Sequence, residues 1–215
     1  MISSHSVFIA TKPLQLIICE IISEQLDLDY KTLILRIDAF KDAKAVLQKI
    51  IKHGFWTEIR AVKTKRDEVR EVFKIRPDEL FVIGDVGLKA FFTYLNYKIF
   101  IKKPLWVYEE GMSNYGYEWY PNGFKKSIFK QMGIGIQNGG SRFTNGLFLF
   151  KPEEISDNFL NSRKNFITRK IKPQLQDYCI GNFERLCFYF DIPEKVLPKN
   201  TSGEVLNLYL SGWSF

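Results

Sequence analysis

Apolar residues near the start of the chain come in short blocks separated by stripes of helical spacing. Val7-Phe8-Ile9-Ala10 reads as a strand, and Thr11-Lys12-Pro13 behind it predicts a helix start, because proline suits the first helical turn. Leu14, Ile17, Ile18, Ile21, Ile22 and Leu26 then recur at i, i+3, i+4 and i+7, so that helix buries one stripe against a sheet. The rhythm repeats. Thr32 to Ile37 reads as a strand, and Val46, Leu47, Ile50 and Ile51 form a helical face that ends at His53-Gly54, a C-cap. Trp56 to Val62 is the next strand and Asp67 to Phe73 the next helix. Leu80 to Ile83 is a buried strand, Val86 to Leu95 a helix, and Leu105 to Tyr108 a further strand.

Strands that alternate with helices predict parallel βαβ units with right-handed crossovers. The fold class is therefore α/β, a Rossmann-like parallel sheet flanked by helices over about the first 110 residues. Beyond Gly111 the pattern is less regular. Glycine-rich turns occur at Gly133, Gly135, Gly139 and Gly140, Leu147 to Phe150 reads as a short strand, and Phe159 to Phe190 reads as helical. Pro198 to Gly203 has linker composition, and Val205 to Leu210 looks like a strand with no helix after it. The expected division is residues 1–197 as one domain with a helical C-terminal part, and 198–215 as a linker and the opening strand of a further domain.

The chain of 215 residues is 46% hydrophobic and 26% charged, which excludes collagen-like, low-complexity and wholly disordered classes. Leu14 to Ile22, the longest apolar stretch, falls well short of the ~20 residues that span a bilayer. The N-terminus lacks the pattern of a secretory signal, so a cytoplasmic location is expected. Cys19, Cys179 and Cys187 form no CxxC pair and lie among apolar residues, which predicts free thiols. The net charge of +7, concentrated between Pro121 and Leu186, points to an acidic partner. An anionic acceptor, or an anionic membrane surface bound peripherally through Lys125 to Lys172, fits that charge.

In open parallel sheets, ligands bind where strands end at their carboxyl side, so the loops Thr11 to Gln15, Gly84 to Gly87 and Glu109 to Tyr115 are the candidate site. Asp85, Ser113, Asn114 and Tyr115 enter on loop position. Adjacent residues on a strand point to opposite sides, so at most one of Glu109 and Glu110 faces the crevice, where partial desolvation would make it a base.

Three stretches taken together resemble a family. Ile9-Ala10-Thr11-Lys12-Pro13-Leu14-Gln15, then Val107-Tyr108-Glu109-Glu110-Gly111, then Gly146-Leu147-Phe148-Leu149-Phe150-Lys151-Pro152-Glu153 are similar, in order and spacing, to bacterial lipooligosaccharide and capsule sialyltransferases of the family 52 type. The resemblance covers the N-terminal half of that family's two-domain GT-B architecture. It implies metal-independent transfer of sialic acid, with inversion, from CMP-sialic acid to a cell-surface glycan acceptor of the lipooligosaccharide or capsule type, free or lipid-linked. No cofactor is implied. The first acid of the acidic-acidic-glycine motif is the family's base, which falls on Glu109. Glu110 and Gly111 would shape the loop, and Thr11, Pro13, Leu14 and Gln15 would line the acceptor side. Tyr115, Tyr117, Trp119 and Tyr120 could stack on sugar faces.

The family binds the donor phosphate with a His-Pro pair in its second domain. The two histidines here are His5, followed by serine, and His53, followed by glycine. The expectation is therefore that the donor-binding half is missing from this chain. Isolated histidines also predict no His-based metal site. A GT-B enzyme with another nucleotide sugar is the first alternative, and a basic nucleic-acid-binding or plain nucleotide-binding Rossmann domain is the alternative of another class. A dinucleotide-binding Rossmann enzyme is disfavoured, because the first βα turn has no glycine and no P-loop is present. No signature of nucleic-acid binding occurs, so no nucleic-acid partner is expected.

Overall fold

The computed structural model describes residues 4–192 except 112, 113, 116, 117, 162 and 164. The expected linker and strand within 198–215 lie outside the described residues. So do Ser113 and Tyr117.

Seven strands form one all-parallel sheet in the order β3-β2-β1-β4-β5-β6-β7. The first half of the chain follows the βα rhythm read above. β1 (His5–Ala10), α1 (Pro13–Gln25), β2 (Tyr30–Arg36), α2 (Ala43–His53), β3 (Glu58–Val62), α3 (Lys65–Ile75), β4 (Glu79–Val82), α4 (Gly87–Phe100) and β5 (Leu105–Tyr108) succeed one another. Gly54 caps α2 at φ +75°, a conformation glycine adopts at no steric cost. Thr64 and Asp67 begin α3 as a reciprocal capping box.

Alternation along the strands sends successive side chains to two cores. Phe8, Leu33, Phe81, Trp106 and Tyr108 pack under α1 and α2, whereas Val7, Ile9, Ile34, Leu80 and Val107 pack under α3 and α4. The chain runs leftward from β1 to β3 with helices on the first face, then rightward from β4 with helices on the second. The reversal places a topological switch point between β1 and β4, whose pairing ends at Phe8 opposite Phe81. Tyr108 spans this switch, and its hydroxyl donates to the Ile9 carbonyl at 2.5 Å.

The sheet continues past the boundary near residue 110. α5 (Phe124–Met132), β6 (Gly146–Leu149), α6 (Asp157–Asn161) and β7 (Ile167–Lys170) extend it, with a 3-10 turn at Pro152–Glu154. The stretch expected to be helical from Phe159 is thus interrupted by β7. That strand is short, half-exposed and polar, so it carries no apolar run, and its charged residues suit a sheet edge. Gly146 permits its close approach, because a Cβ there would stand 2.0 Å from the Ile167 carbonyl oxygen. α7 (Leu175–Gly181) and α8 (Phe183–Phe190) then return to cover α1 and α2 through Tyr178, Cys179, Leu186 and Tyr189.

Candidate functional site

The β5 end carries the acidic pair, and its two carboxylates leave in different directions, as the strand alternation requires. Glu109 turns towards β6. Its Oε2 accepts the Phe150 N–H at 2.7 Å and the Tyr115 hydroxyl, while its own N–H donates to the Phe148 carbonyl at 2.9 Å. Oε1 has no bond among the described residues. Burial raises the Glu109 pKa above the usual glutamate value, against the lowering effect of the Tyr115 and Phe150 hydrogen bonds. The group is a half-buried carboxylate anchored through one oxygen, with no bond to the other among the described residues.

Glu110 turns towards the β1 loop, where Lys12 Nζ lies 2.8 Å from its Oε1. That ion pair joins the first and third predicted loops across the switch point. Asn114, 1% exposed, stitches the turn: its Oδ1 accepts the Glu110 N–H at 3.2 Å and its own N–H reaches the Gly111 carbonyl at 3.1 Å. Tyr115 donates to Glu109 and accepts the Lys151 N–H at 3.1 Å. It therefore acts as a brace between the β5 and β6 loops. Its phenol is pushed up first by burial, then by the bond to the Glu109 carboxylate.

The first loop is locked from inside. Gln15 is 1% exposed, and its Oε1 accepts both the Thr11 N–H at 2.7 Å and the Thr11 hydroxyl at 2.9 Å. Gln15 stands three residues into α1 and reaches back past the N-cap Lys12, whose side chain makes no capping hydrogen bond to the helix. Thr11, Pro13 and Gln15 are buried, so Lys12 and, in part, Leu14 are what this loop presents to solvent. Lys12 belongs to the site although the sequence reading gave it no role; the signal was its place in the same turn as Pro13.

Asp85 sits apart from the acidic pair. It is fully buried and accepts the Gly139 and Ser141 N–H groups, each at 2.8 Å, and the Thr144 hydroxyl at 2.5 Å. Arg163 takes the opposite ends of the same loop, donating to the carbonyls of Gly139, Ser141 and Thr144. Burial raises the Asp85 pKa, and the Thr144, Ser141 and Gly139 hydrogen bonds oppose the rise. One carboxylate and one guanidinium thus clamp residues 139–144 from both sides. A cleft of about 510 Å³ opens beside this loop, walled by Lys130, Gln137, Arg142, Ser156, Phe159 and Arg163. Glu109 and Glu110 are not among its walls.

Among the described residues, no group of three or more His, Cys, Asp or Glu side chains is placed to hold a metal ion, and no helix is long and apolar enough to cross a membrane. The three cysteines are free thiols. The chain has an α/β Rossmann-like fold with its acidic pair beside the switch point; no protein-family model matches it, and no curated protein matches it.

Proposed function

We propose that the chain is the acceptor side of a glycosyltransferase, with Glu109 as the base that takes the proton from an attacking sugar hydroxyl. The observation that carries the reading is the Glu109 carboxylate, partly desolvated at a strand end and held through Oε2 by Phe150 and Tyr115. A base must be both oriented and basic, and this environment supplies each property by a separate cause. The Lys12–Glu110 pair fixes the loop on the other side. It also neutralises a second negative charge beside an incoming hydroxyl or anionic sugar.

Proton abstraction from a hydroxyl makes an alkoxide-like nucleophile as the bond to the anomeric carbon forms, and the leaving nucleotide departs with the electron pair of the broken glycosidic bond. The arrangement needs no metal for that step. The resemblance of the Thr11–Gln15, Tyr108–Gly111 and Gly146–Glu153 stretches to bacterial sialyltransferases supports CMP-sialic acid as donor and a lipooligosaccharide or capsule glycan as acceptor. The test is turnover in the complete reading frame that carries these residues, with CMP-sialic acid and a panel of other nucleotide sugars. Glu109→Gln keeps size and hydrogen bonding but removes basicity, so kcat should fall by ~10² to 10⁴ with acceptor KM nearly unchanged. Glu110→Gln should cost less. Full turnover in the Glu109 variant, or transfer from none of the donors by the wild type, sinks the reading.

A further inference from the structure

A surface helix ordinarily shows solvent its charged side. α3 does so, and its exposed positions are Lys65, Arg66, Arg70 and Lys74. α4 does not. Its inner side is buried through Phe91, Tyr94 and Tyr97, yet of its exposed positions Leu88, Phe92, Ile99 and Phe100 are apolar, at 43%, 54%, 50% and 67% exposure. Leu88, Phe92, Asn96 and Ile99 follow one another at i+4, i+4 and i+3, so they form a single outward stripe, with Phe100 one turn from Asn96. α5 shares a core cluster with α4 through Phe91 and Phe129, and it begins with Phe124, which is 83% exposed.

Along α4 and α5 themselves the charge has one sign. No Asp or Glu occurs from Val86 to Tyr108, nor from Trp119 to Pro152. Lys89 and Lys102 are exposed on or just beyond α4, and Lys125 lies over the Tyr120 ring at 5.2 Å. Lys126 and Lys130, by contrast, are tied to Glu118. A second copy of the chain seated on this stripe would bring lysine rims against each other. An anionic surface with an apolar interior matches both the stripe and its rim.

We propose that the outward face of α4, with the start of α5, docks on an anionic lipid bilayer, Leu88, Phe92, Ile99 and Phe100 entering the headgroup and acyl boundary while Lys89, Lys102 and Lys125 meet lipid phosphates. The surface is independent of the Glu109 assignment. It also moves the basic contact expected over Lys125 to Lys172 largely onto a different element.

Sedimentation of the full chain with vesicles of phosphatidylcholine alone, and of phosphatidylglycerol mixed with phosphatidylcholine, tests the proposal. Binding to the anionic vesicles should exceed binding to the neutral ones by roughly tenfold or more at low salt, and should decline as salt is added. Phe92→Ser with Phe100→Ser should remove most of it, and Lys89→Gln with Lys102→Gln should weaken it. Lys89 and Lys102 are exposed, so the lysine variant should melt as the wild type; Phe92 and Phe100 are half-exposed with ring contacts to Phe91 and Phe73, so their variant should melt somewhat earlier but still cooperatively. Equal and negligible binding to the two vesicle types, or anionic binding that both variants retain, overturns the proposal. So does a wild-type dimer in solution that the phenylalanine variant converts to monomer, since the stripe would then be a self-association surface.

Discussion

The Glu109 carboxylate shows how a single neighbour sets the chemistry of a group. The Tyr115 hydroxyl donates to its Oε2 and so favours the ionised form, while burial disfavours it. Tyr115→Phe removes the favourable contact and leaves the burial. The pKa of Glu109 should therefore rise further. An acid that becomes weaker needs a higher pH to ionise, so the carboxyl titration followed by carbon NMR in the intact chain should move to higher pH. Under the proposed role of Glu109 as base, the acidic limb of the pH–rate profile should move to higher pH by the same displacement. A titration curve unchanged in Tyr115→Phe would show that the hydroxyl does not govern this carboxylate. Neither the Tyr115 brace nor the inward turn of Gln15 was legible in the sequence. Both are hydrogen bonds to backbone groups, Lys151 in one case and Thr11 in the other, and the residue type alone does not say whether such a side chain meets ligand or its own loop.

Helices α1, α7 and α8 meet around a buried carboxyl group. Glu20 is 0% exposed on α1, with Arg185 of α8 at 3.5 Å and the Tyr178 hydroxyl of α7 at 3.4 Å. Burial dominates, and it raises the Glu20 pKa to about 7 despite the opposing Arg185 charge. The folded protein thus holds a proton that the unfolded chain gives up near the ordinary glutamate value. The stability from this site is fully present below the unfolded pKa of 4.5 and is lost as pH rises towards about 7. The loss is on the order of 3 kcal/mol. Glu24, Lys31 and His53 also face this cluster or its arginine, so the test compares Glu20→Gln with wild type rather than reading the wild-type slope alone. The Tm of the wild type relative to the variant should fall between pH 5 and pH 7.5, both values lying on either side of about one titration. A constant difference across that interval would remove Glu20 as its source. Asp85 and Arg163 solve a similar problem by another route: each buried charge is spent on three groups of one loop, which rigidifies residues 139–144 beside the cleft.

The parallel sheet was legible because each buried strand announces itself as an apolar run, and each crossover helix of the first half as a 3.6-residue stripe. Where those signals lapse, so did the reading: α5 mixes lysines with apolar residues, and β7 is an exposed Ile-Thr-Arg-Lys edge. The positions of the three candidate loops follow from topology, whereas the direction of each side chain depends on contacts that cross β1, β5 and β6. The boundary near residue 110 has a consequence for folding that can be checked. β5 is not an edge strand. Leu105, Trp106, Val107 and Tyr108 are all at most 4% exposed, and β6 pairs along it from Trp106–Gly146 to Tyr108–Phe148. Removing everything after Gly111 would uncover one side of that strand, and it would strip α7 and α8 from α1 and α2, leaving Glu20 without Arg185 and Tyr178. Burying a large apolar side chain contributes on the order of 1.5–3 kcal/mol, so exposing Trp106, Tyr108 and the α1 face together removes a large part of a typical margin of about 5–15 kcal/mol. The fragment ending at Gly111 should therefore lack a cooperative thermal transition and dispersed amide NMR signals, while the intact chain shows both. A fragment that melts cooperatively would mean that the first five strands form a self-sufficient unit, and that β6, β7 and the last two helices are an addition to it rather than part of its core.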